Sequence, residues 1–342
     1  MLFKKKRVDI KGSLDYLAWQ KFKRNKFSLG GLFFILLILI IAIFGYLLTP
    51  DKSPFANTQI LEIAAKKPGF SCTMLKFRKN VKDNSKGVLH TMLMGRNNMY
   101  SYIPINSYHF ENNFLIIEEY NNIEGEEPFY QKLNPADIVF PVAYGTKIII
   151  ENKQFIFTDI EEKIRTISFV ELKKAIEENH IVDKKFLLGT DRFGRDLLSR
   201  LFIGARISIS VGFISVFISL IIGITLGSIA GYFKGKVDDI IMWLINVIWS
   251  IPTLLMVIAI TLVIGKGFWQ IFIAVGLTMW VEVARVVRGQ VLSVREKEYV
   301  EAARALGFGH ARIIFKHILP NVISPVIIIS AANFATAILL EA

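Results

Sequence analysis

The sequence predicts an all-α, multi-span membrane protein with a mixed α+β domain inserted outside its helices. Three observations lead there. Five long runs, Phe27–Pro50, Ile207–Phe233, Ile240–Gly265, Gly267–Val281 and Ile318–Leu340, contain no Asp, Glu, Lys or Arg. Basic residues crowd the ends of these runs. Residues 50–186 hold no such run and carry 18 basic and 18 acidic residues, a balance expected of a water-exposed folded domain.

About 20 apolar residues cross a hydrocarbon core of ~30 Å. Four runs reach that length, while Gly267–Val281 has 15 residues and must extend into its flanks. Apolar residues make up 53% of the 342, and five such runs exclude a soluble bundle. The net charge of +12 hugs helix ends rather than forming a basic face with aromatic platforms, which argues for membrane lipid and against nucleic acid. Cys72 is the single cysteine, so no intrachain disulfide forms.

Residues 1–26 carry nine Lys/Arg against two Asp. The run that follows is too long for a signal-peptide core, and Thr49-Pro50-Asp51 makes a poor cleavage site. Residues 27–50 are therefore expected as an uncleaved first span, with 1–26 on the cytosolic side by the positive-inside rule. Residues 51–186 then fall outside. There Val88–Met94, Phe114–Tyr120 and Ile138–Tyr144 have strand composition, and Lys147–Ile150 with Gln154–Thr158 suggest a hairpin. Ser168–Asn179 suggests a helix opened by a capping box of Ser168 and Glu171. His90, His109 and His180 are scattered, and no metal cluster, catalytic triad or phosphate loop is present.

Residues 187–206 read as an interfacial amphipathic segment: Thr190 or Asp191 caps it, and Leu197, Leu198, Leu201 and Phe202 form its apolar side. Its four Arg oppose an outside placement, and Asp191 and Asp196 offset half of them. The helical domain is expected over 207–342. Its first span carries Ser215, Ser219, Gly223, Gly227 and Gly231 at four-residue steps, a helix-packing stripe that winds about 40° per step. Asp238 and Asp239 suit the start of the next helix, and Pro252 should kink it. Gly265-Lys266-Gly267 is expected as a tight outside turn. Trp280 is placed as an interface anchor, and Glu282 is set to pair with Arg285. The basic excess from Arg285 onward puts the loop 285–319 in the cytosol, and counting spans from the N-terminus agrees.

Within that loop Glu298–Leu306 is rich in helix formers and Gly307 is a natural stop. Ala302 and Ala303 offer a small surface for close approach, flanked by Glu301 and Arg304. The stretch Glu301–Asn321 shows EAA, three intervening residues, Gly307, and then Leu319-Pro320. It resembles the EAA loop of ATP-binding-cassette importer permeases. Together with LGTDRFGRDLLSR, AGYFKGKVDD, SIPTLL and RIIFKHILPNVISP, the chain from Leu188 resembles the second permease of the dipeptide/oligopeptide (peptide/nickel) class. The generic pattern has Ile two positions before Leu319, where His317 stands here.

The resemblance implies a type I permease bundle in the plasma (inner) membrane and a coupling helix of Glu301, Ala302, Ala303, Arg304 and Gly307. It implies as partners a second homologous permease, two cytosolic ATP-binding subunits and an extracytoplasmic solute-binding protein. The chain lacks GxxxxGK[ST], so ATP hydrolysis is expected in a separate chain, and no cofactor, metal or catalytic residue is expected in this one. Pro252 and Glu341 are candidates for the pathway. Nickel chelates or glutathione are the alternative solutes, and a membrane-anchored receptor or assembly protein is the competing class. Family members have a shorter connector than 51–186 and a sixth span, so a chain truncated within its fifth span is expected.

Overall fold

The computed structural model describes residues 14–81, 87–121, 127–265 and 267–341. The first thirteen residues of the basic stretch, Lys266 of the expected turn and Ala342 lie outside them. The chain divides into two compact units, one up to Arg206 and one from Ile207.

The first unit opens with α1, Leu14–Arg24, and α2, Lys26–Leu48. Asn25 separates them: its backbone is extended, and its side chain accepts from the Phe27 and Ser28 amides. Those are orphan donors of a helix start, so this is an N-cap. The domain after α2 is built on a five-stranded antiparallel sheet of order β4-β3-β2-β1-β8. Its strands are β1 (Phe70–Arg78), β2 (Tyr100–Glu111), β3 (Phe114–Glu119), β4 (Tyr130–Leu133) and β8 (Ile181–Phe186). A three-stranded sheet joins β5 (Ile149–Glu151), β6 (Gln154–Thr158) and β7 (Ile164–Ser168). Alternation sets the inner face: Leu115 and Ile117 are buried on β3, Phe155 and Phe157 on β6. Asn112-Asn113 and Asn152-Lys153 turn their hairpins with positive φ at both residues, as tight two-residue turns require.

α5, Phe169–Asn179, starts with the expected capping box and buries Leu172 and Ile176. One expected strand is a helix, and another is a helix end followed by a loop. Val88–Met94 is α3, bounded by Gly87 and Gly95, and a short apolar run has no period that excludes a helix. Ile138 and Val139 end α4, Pro135–Val139, because Asn134 caps the Ala136 amide and Pro135 starts the turn.

The expected interfacial segment is also corrected. Thr190 and Asp191 cap nothing: the Thr190 hydroxyl donates to the Ile63 carbonyl, and Asp191 closes a loop through the Phe193 and Arg195 amides. The helix starts at Leu197, where Asp196 accepts from the Ser199 amide at 2.9 Å. From there α6 runs unbroken to Phe233. No turn separates residues 197–206 from the apolar run, so they continue it.

In the second unit α6 is followed by α7 (Gly235–Trp249), α8 (Thr253–Ile264) and α9 (Phe268–Val294). Then come α10 (Glu298–Ala305), α11 (His310–Ile313), a π-helical turn at Ile314–Ile318 and α12 (Leu319–Glu341). Pro320 stands two residues beyond the π turn, after Leu319. Its missing N–H leaves the regular helical ladder one donor short, and a π turn is a common way to absorb such a defect. α9 is the central helix. Val283, Val287 and Val291 pack with Tyr232, Val300, Ala303, Ile313 and Ile318, while Trp280 and Ala284 pack with Ala230, Ile241 and Ile245. Trp280 is thus a core residue rather than an interface anchor. Phe217, Val263, Ile328 and Leu339 stay exposed, as expected where lipid replaces water.

Among the described residues four helices are long and apolar enough to cross a membrane. The third expected span is instead the pair α7–α8, bent by 91° at Ser250–Pro252, and counts as a fifth span only if the pair crosses as one. The observed break is far sharper than the kink expected at Pro252.

Candidate functional site

The polar end of the second unit is made by the loop from Arg295 to Ile318 and the turn between α6 and α7. α10 begins with Glu298 and Glu301 in its first turn and has Arg304 in its last, an order that suits the helix dipole. Gly307 ends it in the left-handed region at φ +74°. The Gly307 amide donates to the Arg304 carbonyl at 2.9 Å, and the Phe308 amide donates to the Ala303 carbonyl at 3.1 Å. These two bonds form a Schellman closure, and the Phe308 side chain packs into the same apolar cluster as Ala303.

Of the expected coupling residues, Glu301, Ala302, Arg304 and Gly307 are exposed and Ala303 is not. Ala303 is 3% exposed and shares the inner face with Val300. The exposed surface therefore takes in Glu301, Ala302, Arg304, Ala305 and Leu306 rather than both alanines of the motif. Val300 and Ala303 stand three residues apart, a helical step that would have picked the inward alanine.

Tyr232, near the end of α6, holds this end together. Its hydroxyl lies 2.9 Å from His310 Nδ1, its ring lies under the Arg304 guanidinium at 5.2 Å, and its carbonyl accepts from Arg295 Nη1 at 2.5 Å. Two ion pairs add to it. Lys234 reaches Glu296 at 2.7 Å, and its ammonium holds the Glu296 carboxyl below the ordinary carboxylate range. Arg288 grips Asp238 through Nε at 2.5 Å and Nη2 at 2.6 Å, the two-pronged geometry that a guanidinium favours. Sequence reasoning missed Tyr232, because its partners lie 63 to 78 residues away. His317 stacks on Phe308 at 5.8 Å, and Arg312 covers that ring at 4.2 Å.

The packing stripe meets one partner. A side chain at Gly223 would strike Val283 at 2.6 Å, one at Gly227 would strike Ala284 and Val287, and one at Gly231 would strike the Arg288 carbonyl at 2.8 Å. The Ser215 hydroxyl donates to the Phe272 carbonyl at 3.1 Å, while the Ser219 hydroxyl stays with its own helix at Val216. Ser215 and the three glycines thus lie against α9 along most of its length, and Ser219 is fully buried between them. The pathway candidates are not brought together. Pro252 precedes α8 at the break, and Glu341 accepts from the Ser208 hydroxyl at 2.9 Å. No group of three metal-ligating side chains occurs among the described residues.

Comparison with known proteins gives two family matches. The family described as the binding-protein-dependent transport system inner membrane component matches residues 223–342. The N-terminal TM domain of oligopeptide transport permease C matches residues 13–68. The oligopeptide transport system permease protein OppC of Bacillus subtilis (strain 168) is 42% identical over 46% of this chain and 52% of its own length. The dipeptide transport system permease protein DppC of Alkalihalophilus pseudofirmus is 42% identical over 44% of this chain and 50% of its own. The chain therefore spans about half the length of these relatives. Among solved structures, the MetNI methionine ABC transporter covers 41% of this chain and 71% of its own at 19% identity, with a TM-score of 0.38, too low to carry an argument. The matches rest on sequence at both the first apolar helix and the helical unit: residues 223–342 are similar to the inner membrane components of binding-protein-dependent transport systems, and residues 13–68 to the N-terminal segment of oligopeptide permease C.

Proposed function

We propose that this chain is a permease subunit of an ATP-driven peptide importer, coupled to a cytosolic ATPase through α10. It forms half of the pathway with a second permease and takes its solute from an extracytoplasmic binding protein. The chemistry of ATP hydrolysis belongs to the ATPase chains. The relatives' names, oligopeptide and dipeptide permease, favour peptides over nickel chelates. The N-terminus is cytosolic on the strength of its positive charge, which places 51–186 outside.

The observation that carries the reading is the state of α10: short, closed by a left-handed glycine, exposed at Ala302, and fixed to α6 and α9 through Tyr232 and Val300. A helix held so firmly moves as a unit with the helices beneath it. When the two ATPases close, a push on α10 becomes a tilt of α9, and the pathway changes the side it faces. The small Ala302 surface allows a groove to approach closely. With Cys72 replaced by Ser, Ala302→Cys is expected to crosslink to the ATPase in transport-active membranes. An active transporter that yields no such product overturns the coupling claim.

A further inference from the structure

At Ser250–Pro252 the chain turns through 91° between α7 and α8. Beside this break, on α9, stands Glu282. About 20 Å of helix separates it from either end of α9, which puts an acid near mid-helix. The sequence pairs it with Arg285, but the structure does not. The Arg285 guanidinium lies over the Trp249 ring at 3.1 Å, and its Nη2 donates to Asn246 at 3.3 Å. Among the described residues no hydrogen bond or ion pair engages the Glu282 carboxylate. It borders a cleft of about 40 Å³ lined also by Trp249, Ile251, Thr253 and Thr278. That volume holds two or three water-sized groups, enough for an ammonium and the methylene that bears it, and not for a whole peptide.

An acid exposed beside a helix break can take water or a cation as its partner, and broken helices are where membrane transporters place such contacts. We propose that Glu282 receives a positively charged amine of the transported solute as it passes the α7–α8 break. The inference rests on the permease reading above. Arg285 stays with Trp249 and Asn246, so the acid is left to select by charge.

The test uses proteoliposomes with the assembled transporter and its binding protein saturated in turn by three tripeptides: alanines flanking a central lysine, alanine or glutamate. The wild type is expected to move the lysine peptide faster than the glutamate peptide. Glu282→Gln should shrink that ratio about tenfold, the loss of one charge-assisted contact, and Glu282→Lys should invert it. Glu282→Asp should keep the wild-type order. A ratio unchanged within about twofold in both Gln and Lys variants, with the neutral peptide still transported, overturns the proposal. Where those variants do not assemble, carbodiimide modification of Glu282 in the wild type decides: slowing by the lysine peptide supports the role, and equal rates with and without it overturn it. Wild-type vesicles that move none of the three peptides refute the permease reading itself, and this inference with it.

Discussion

The hydroxyl, ring and carbonyl of Tyr232 engage three neighbours from the loop beyond α9. The carbonyl bond is the most exacting, because it is made by a charged donor close to the core cluster. Gly307 is the other residue on which the shape of α10 depends. A β-branched side chain there would have to adopt a left-handed backbone, at a cost of about 1–2 kcal/mol. Gly307→Val is therefore expected to fray the closing turn of α10 and lower peptide uptake several-fold, with the helical unit still folded. Uptake at the wild-type rate, with the variant chain at wild-type abundance, would show that the closure is dispensable.

At the scale of elements, the β6–β7 hairpin depends on Asp159. Its carboxylate is buried, accepts from Arg165 Nε at 2.6 Å and takes the Glu161 and Lys163 amides. The Arg165 guanidinium first, and those amides next, hold the carboxyl below its ordinary range. A carboxyl lowered on folding stabilises the domain above its unfolded pKa of about 4, and the contribution is lost as pH falls through the folded value. Hydrogen exchange across β6 and β7 should thus be faster in Asp159→Asn than in wild type at pH 7. The gap should close below about pH 4, and a gap that persists unchanged at lower pH would refute the ionised role.

The elements that sequence revealed are those with a local cause. The apolar helices show themselves by missing charge, α5 by its Ser168–Glu171 cap, and the β5–β6 hairpin by Asn152-Lys153. Val88–Met94 and Ile138–Tyr144 were misread because a short apolar run looks alike as helix or strand, and in the second case the Asn134-Pro135 start signal outranks composition. The glycines of α6 were legible as a stripe, but their single partner was not, since that is a property of where α9 lies. Tyr232 was illegible for the same reason, while the inward turn of Ala303 could have been read from its spacing to Val300.

For the whole molecule, the proposed sidedness rests on charge and is open to direct measurement. Tyr144 is fully exposed in a turn of the inserted domain. In a Cys72→Ser background, Tyr144→Cys should react with a membrane-impermeant maleimide in intact cells. Reaction only after the cells are opened would reverse the sidedness proposed for 51–186. A multi-span helical protein also needs its broad apolar exterior covered, by lipid and, in the assembly proposed above, by a second permease.

α9 is a rod of 27 residues, about 40 Å long, gripped at one end by the Tyr232 cluster and α10. Such a rod works as a lever. A tilt of about 5° about the gripped end carries Phe268 through about 3.5 Å and Glu282 through roughly half of that. The same small stroke at α10 therefore yields two amplitudes, a wide one at the far mouth and a fine one at the acid. In the importer proposed above, the position of Glu282 along the rod sets how far its carboxyl travels.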